Sequence, residues 1–335
     1  MTLFGKQHLK KPGRKGRRKW LVLPAAMILT GMITEYVCEY MERQAYQPVG
    51  EIYTVNGHDM HIWSDGEGDE TVVFSAGWGF PCPYTDFYPL HSEIVKSARV
   101  AVYDRPGHGW SEVAETDREI DIITEELHQL LIDSGQKAPY ILVGHSIASL
   151  EVLRFAQLYP DEVKGVVLID GSYPGMYEHI TVSETGYLLT DLRNYGIRTL
   201  NRTGVTRLLF NTLYPYQASP LGSGRAGLKA MPEELMNLEK AMFFKTFYNP
   251  NQIAEVDHKR DNAAVVMEAG NIGSIPLIVI TSEIMDSYEE SSANQKRMLS
   301  LSTDSRQVPV AEARHFIHWY APEAVNAEIL SLTGD

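Results

Sequence analysis

The chain has 335 residues, 44% hydrophobic and 22% charged, the composition of an ordinary globular protein and length enough for one α/β domain with an inserted subdomain. Its net charge of −13 is unevenly spread: residues 1–34 carry eight basic residues and no acidic one, leaving 22 basic against 43 acidic residues in the rest, a balance of −21. So acidic a body excludes nucleic acid as a partner, because phosphates need a basic surface.

Residues 1–19 read as a basic cytoplasmic arm, and residues 20–37 (WLVLPAAMILTGMITEYV) as a membrane anchor or signal-like segment. About 15 apolar or small residues precede Glu35, its only charge, somewhat fewer than the roughly 20 that span a bilayer comfortably. Pro24 is tolerable in a membrane helix without favouring one. The positive arm would hold the N-terminus in the cytoplasm and put the body outside a cell membrane crossed once. No small-x-small cleavage site follows, so an uncleaved anchor is preferred to a cleaved, secreted form. The third reading is a cytosolic protein whose amphipathic N-terminal helix docks on its own domain. Cys38 and Cys82 are too few for a disulfide framework and lack metal-site spacing.

A first core segment covers residues 48–170. Strands are expected at Glu51–Val55 and 58–64 around Asn56-Gly57, a strong hairpin signal, and again at Thr71–Ser75. A helix is expected at 84–97, a strand at Arg99–Tyr103, a helix at about 118–134, a strand at 140–143, a helix at 146–158 and a strand at 166–169. Apolar strands alternating with helices indicate a mostly parallel sheet covered on both faces. The alternation breaks over residues 171–273, read as a helical cap with helices at 188–200 and 233–247 and turn clusters at 219–227. It resumes in a second core segment, 274–335, with strands at 276–281 and 306–311 and helices at 291–301 and 322–332.

The chemistry concentrates at Gly144-His145-Ser146-Ile147-Ala148, where a strand runs through Gly-x-Ser-x-small into a helix. Such a nucleophile elbow lifts a serine hydroxyl above the sheet at a positive helix N-terminus; Ala148 stands where glycine is usual. A serine needs a base, and His315, after the last strand, occupies the place in the order Ser…acid…His. His145 would point away from the nucleophile and pack or line the pocket, and His318 is expected at the surface or behind the site. Oxyanion donors are expected from the amides of Ile147 and of Trp78, in Ala76-Gly77-Trp78-Gly79 after the strand Thr71–Ser75.

Gly77-Trp78-Gly79, the segment YDRPGHGWS at 103–111, Gly144-His145-Ser146 and His315-Phe316-Ile317-His318 occur in an order that resembles the α/β-hydrolase superfamily, in its branch of cap-bearing serine hydrolases. The resemblance covers residues from about 50 to 333. It implies the α/β-hydrolase fold with an inserted helical cap, treats Arg105 and His108 as scaffold, and implies neither metal nor cofactor. Two departures stand out: Ala76-Gly77 where His-Gly is usual, and Asp286 one place later than the usual acid. Two acids therefore compete. Asp286 follows the strand at 276–281, the commoner location, but needs a one-residue insertion. Asp170 ends the strand at 166–169, where some dehalogenating relatives keep the acid, and is preferred; Glu283 ranks third.

The function implied is hydrolysis of an ester or related acyl compound through an acyl-enzyme, on a small-molecule acyl substrate. Cap residues such as Tyr195, Phe210, Phe243, Phe247 and Tyr248 suit an apolar acyl chain and equally a small helical core. Amide or peptide cleavage, or a non-catalytic receptor or scaffold on the same fold, are the alternatives.

Overall fold

The computed structural model describes residues 14–178, 184–213 and 231–334. Helix α1 (Arg14–Ala45) opens the chain and extends past both ends of the expected apolar segment. Its stretch Val22–Ala45 is long and apolar enough to cross a bilayer by length and composition. A hairpin of β1 (Glu51–Val55) and β2 (His58–Asp65) follows, turning through Asn56 and Gly57, both at positive φ as a two-residue hairpin turn requires. These strands and β3 (Thr71–Ser75), β4 (Arg99–Tyr103), β5 (Tyr140–His145), β6 (Val163–Ile169), β7 (Leu277–Ser282) and β8 (Ser305–Val310) form one eight-stranded sheet in the order β1-β2-β4-β3-β5-β6-β7-β8. The β1–β2 and β2–β4 pairings are antiparallel and the rest parallel.

The central strands read as unbroken apolar runs because both faces are covered, and alternate residues supply two cores. Val73, Ala101, Leu142 and Val166 pack with Leu127, Leu130 and Leu131 of α4 (Ile120–Asp133) and with Leu150, Leu153 and Phe155 of α5 (Ala148–Leu158). Val72, Phe74, Val102 and Ile141 pack on the other face with Leu90, Ile94, Val325 and Ile329.

One expected element divides. The helix at 84–97 is two short helices, α2 (Pro83–Asp86) and α3 (Tyr88–Ile94), because Pro89 has no N–H and its ring would collide with the carbonyl four residues earlier.

Between β6 and β7 the chain leaves the sheet for α6 (Glu184–Arg202), α7 (Val205–Leu208), a π-helical turn at Leu209–Leu213, α8 (Glu233–Thr246), α9 (Pro250–Asp257) and α10 (Lys259–Glu268). The turn clusters expected at 219–227, with Tyr214 and Tyr216, lie outside the described residues. The last two helices were not anticipated. Asn249 caps the first of them through its side chain, which accepts from the amides of Asn251 and Gln252.

Helix α1 lies against this insertion and the body. Trp110 Nε1 donates to the Tyr46 carbonyl just past its end (3.0 Å), and Arg207 of α7 pairs with Glu35 (2.9 Å) and Glu42. The chain closes with α11 (Glu283–Asp286), α12 (Glu289–Met298), α13 (Ile317–Tyr320) and α14 (Pro322–Leu330).

Candidate active site

Strand β5 delivers Ser146 into a turn ahead of α5, with Ser146 itself at φ +55°. A left-handed non-glycine residue costs on the order of 1 kcal/mol and persists only where its surroundings fix it. Here they do: the Ser146 amide donates to the Ile169 carbonyl (3.1 Å), and its carbonyl accepts from the amides of Ser149 and Ser172 and from the Ser149 hydroxyl (2.8 Å). A Cβ on Gly144 would lie 2.8 Å from the Val152 side chain and 3.1 Å from the Ala148 carbonyl, so the helix can approach the strand only because that side chain is missing. Ala148 is buried, with its methyl accommodated where glycine was expected.

His315, in the loop after β8, has Nε2 3.0 Å from Ser146 Oγ and Nδ1 3.3 Å from Asp170 Oδ2. A carboxylate only accepts, so Nδ1 carries the proton and Nε2 is left to accept from the serine hydroxyl. The His315 side chain is 34% exposed and the Asp170 side chain fully buried, so the imidazole stands between solvent and the interior. Asp170 sits at the end of β6 at φ +43°. Ser282 holds the carboxylate from the next strand, its amide donating to Oδ1 (2.7 Å) and its hydroxyl to Oδ2 (2.5 Å).

Asp286 lies elsewhere, exposed at the end of α11 and accepting from the Ser292 hydroxyl (2.6 Å). Glu283 accepts from the Glu312 amide. Of the three candidate acids, the structure brings only Asp170 to His315. Nothing in the sequence pointed to Ser282 as the residue that holds this carboxylate.

His145 points behind the elbow, its Nε2 donating to the His315 carbonyl (2.9 Å), and so braces the loop that carries the base. Burial, with the neighbouring rings of His315 and His318, holds its pKa well below the ordinary range, so it stays neutral. His318 is not at the surface: it is fully buried, with Nε2 3.2 Å from Asp86 Oδ1, because α13 turns it inward beneath the elbow. Asp86, His145 and His318 offer donor atoms within 4.8 Å of one another, the one such trio among the described residues. The hydrogen bonds just given already engage all three side chains.

Arg105 is buried and makes more polar contacts than the sequence suggested. It donates to Glu255 of α9 (3.0 and 3.3 Å), to Glu151 of α5 (3.3 Å), to the Ser75 hydroxyl (3.2 Å) and to the carbonyls of Ala76 (2.7 Å) and Gly77 (3.4 Å). Burial alone would raise Glu255, but the guanidinium outweighs it and its pKa is lowered. Glu151, whose burial wins over the same arginine, is raised. Tyr103 also hydrogen-bonds Glu151. With the Gly77 carbonyl turned to Arg105, trans geometry turns the Trp78 N–H the opposite way. The Trp78 ring is fixed as well, Nε1 donating to the Gln252 carbonyl (2.6 Å) and the ring edge-on to Tyr248 at 5.9 Å. Glu151 was legible as a lone acid inside an apolar helix; nothing in the sequence marked Glu255.

The model of the α/β hydrolase fold family matches residues 79–322. An uncharacterised Bacillus subtilis protein, YbdG, is 26% identical over 310 residues, 90% of this chain and 92% of that one. A pimeloyl-[acyl-carrier protein] methyl ester esterase of Shewanella woodyi is 31% identical over 129 residues, 35% of this chain and 45% of its own. Among solved structures, the enol-lactonase from Burkholderia xenovorans is similar with a TM-score of 0.57 at 20% identity, over 84% of this chain and 99% of that one.

Proposed function

This chain belongs to the α/β-hydrolase fold family and is a hydrolase, and on that premise we propose that it is a membrane-anchored serine esterase. The observation that carries the reading is the unbroken contact series Ser146–His315–Asp170, at 3.0 and 3.3 Å. Ser146 Oγ attacks the acyl carbonyl while His315 Nε2 takes its proton, which then passes to the departing alcohol. Water, deprotonated by the same nitrogen, releases the acid and restores the serine. Asp170 keeps its charge throughout; it fixes the tautomer and stabilises the imidazolium. The amides of Trp78 and Ile147 receive the oxyanion, a role supported for Trp78 by the turning of its peptide away from Arg105.

An acyl–oxygen bond is the preferred target because the similar Shewanella esterase and Burkholderia lactonase are both named for such bonds. An apolar acyl group is supported by Tyr248, whose ring packs edge-on against Trp78 at 5.9 Å, while Phe210, Phe243 and Phe247 pack on one another as the core of the cap. The anchor reading rests on α1 and the basic arm before it: N-terminus in the cytoplasm, body outside.

The test is a chain-length series of nitrophenyl esters, with a lactone and an epoxide alongside, given to the detergent-solubilised full chain. Turnover of esters, rising with acyl length, is expected. Epoxide opening without ester cleavage, or binding without turnover, would overturn the reading.

A further inference from the structure

Helix α6 is amphipathic in the reverse of the soluble sense. Leu188, Leu192 and Tyr195 share one stripe at helical spacing, flanked by Leu189 and Leu200, and all are exposed; Leu192 is 59% and Tyr195 73% accessible. The opposite side carries Asn194 and Asn201, both buried, with Asn201 Nδ2 donating to the Phe244 carbonyl (3.0 Å). The apolar surface continues through Val205, Leu208 and Leu209, and across to Met27 and Ile28 of α1, all exposed. Such a surface on an ordinary soluble protein would be covered.

The contact between α1 and α7 fixes where this surface sits. A Cβ on Gly31 would come within 2.2 Å of the Thr203 carbonyl, and one on Gly204 within 2.7 Å of the Gly31 carbonyl, so the two backbones touch. Four residues on, Glu35 grips Arg207, whose guanidinium lies 4.2 Å from the centre of the Phe244 ring. Gly31 is eleven residues past Trp20, about 16 Å along the helix at its usual rise. Against a hydrocarbon layer about 30 Å thick, an α1 that enters at Trp20 meets the cap near the bilayer midplane and keeps it alongside through the outer leaflet. Beside this contact lies an open groove of about 610 Å³, lined in part by Met27, Ile28, Cys38, Val205 and Leu208. Arg198 and Arg202, one turn apart and with Asp191 at an angle between theirs, border the stripe on one edge, a net basic edge on a body of net charge −21, which suits anionic headgroups.

We propose that the α6–α7 edge of the cap is seated in the same leaflet as the outer half of α1, with bilayer lipid filling the groove and covering the leucine stripe. The seat rests on the anchor reading and is independent of the esterase reading. Charged groups at that depth are tolerated because Arg207 is paired within the protein and the α6 arginines can reach the headgroups.

The experiment uses the full chain with Cys38→Ser, the other cysteine, Cys82, being buried. Leu192→Cys or Leu208→Cys is labelled with a polarity-sensitive fluorophore and reconstituted into phosphatidylcholine vesicles containing some phosphatidylglycerol; Ile132→Cys, exposed on α4, is the control. Labels at 192 and 208 are expected to be quenched several-fold more by nitroxide-bearing lipid than by aqueous iodide, and the label at 132 the reverse. Iodide quenching at 192 and 208 equal to that at 132 overturns the seat, whether alkaline carbonate leaves the chain in the membrane or releases it. Ester turnover, measured on the same samples, reports separately on the esterase reading.

Discussion

Two arginines in this molecule are each forked between two glutamates, and what surrounds them differs. Arg105 sits inside the body between Glu151 and Glu255, and its remaining N–H groups hold the Ala76 and Gly77 carbonyls. Arg207 joins two segments far apart in sequence, Glu35 and Glu42 of α1 and its own α7, and bare apolar side chains flank that junction. A buried charge needs partners in either place. In the first the fold also closes the apolar surroundings; in the second it leaves them open, on the side where the proposed seat puts lipid. One device thus braces the loop after β3 and also docks α1 on the insertion. Changes near Arg105 should be read out in rate, changes near Arg207 in the cap's attachment.

The largest effect is expected on the Arg105 side, at the acid. Asp170→Asn should lower ester turnover on the order of ten-thousandfold, because the histidine tautomer is no longer fixed, while Asp286→Asn stays near normal. Steady-state rates on one ester decide between them, and the reverse pattern transfers the acid to Asp286.

Arg105→Met leaves Glu151 and Glu255 buried without their counter-charge, and should cost about 3–5 kcal/mol of stability. Arg105→Lys keeps the charge but cannot reach both glutamates and both carbonyls, so turnover should fall on the order of a hundredfold with folding preserved, as when an oxyanion donor is lost. Denaturant melts beside kinetics separate the two effects.

An acid titration probes the body alone. His91 is buried between the Tyr84 and Trp63 rings, and burial lowers its pKa from 6.5 to about 4. The unfolded chain therefore binds the proton first, so stability is full above pH 6.5 and falls as the pH drops from there towards 4. The loss is at most about 3 kcal/mol from this group. His91→Phe should flatten the acid limb of a stability-against-pH curve measured by urea melts; an unchanged limb would assign the loss elsewhere.

The smallest effect on chemistry is expected at the second arginine. Arg207→Met should leave turnover of a soluble short ester within a few-fold of the parent. It should instead raise protease cleavage between α1 and the body, the docking being weakened by about 1–3 kcal/mol. Loss of turnover matching that of Arg105→Lys would erase the contrast between the two sites.

How far the sequence disclosed this arrangement depended on whether the cue was local. Asn56-Gly57 is a local cue, and so is Gly-x-Ser-x-small between a strand and a helix; both produced the expected turns. The position of His315 followed from chain order. The split at Phe87 has a local cause in Pro89, but Phe87, Leu90 and Ile94 keep helical apolar spacing straight through it. Helices α9 and α10 were missed because their faces are mixed, with Asn251, Glu255 and Asn262 turned inward as partners for distant backbone and charge. Of the two places expected for His318, the surface and behind the site, it takes the second; its receiver, Asp86, lies 232 residues away and had no sign in the sequence. A docked N-terminal helix was one of the three readings of residues 20–37, but what fixes the docking showed in the sequence only as Glu35, a lone charge in an apolar run whose partner lies 172 residues on.

The central claim, that Ser146 is a nucleophile activated through His315 and Asp170, is most directly tested by fluorophosphonate labelling of the full chain with peptide mapping. A single adduct on Ser146 is predicted, absent in Ser146→Ala, much slower in His315→Ala and Asp170→Asn, and unchanged in Asp286→Asn. Labelling that persists in Ser146→Ala, or that proceeds at the parent rate without His315, would contradict the account.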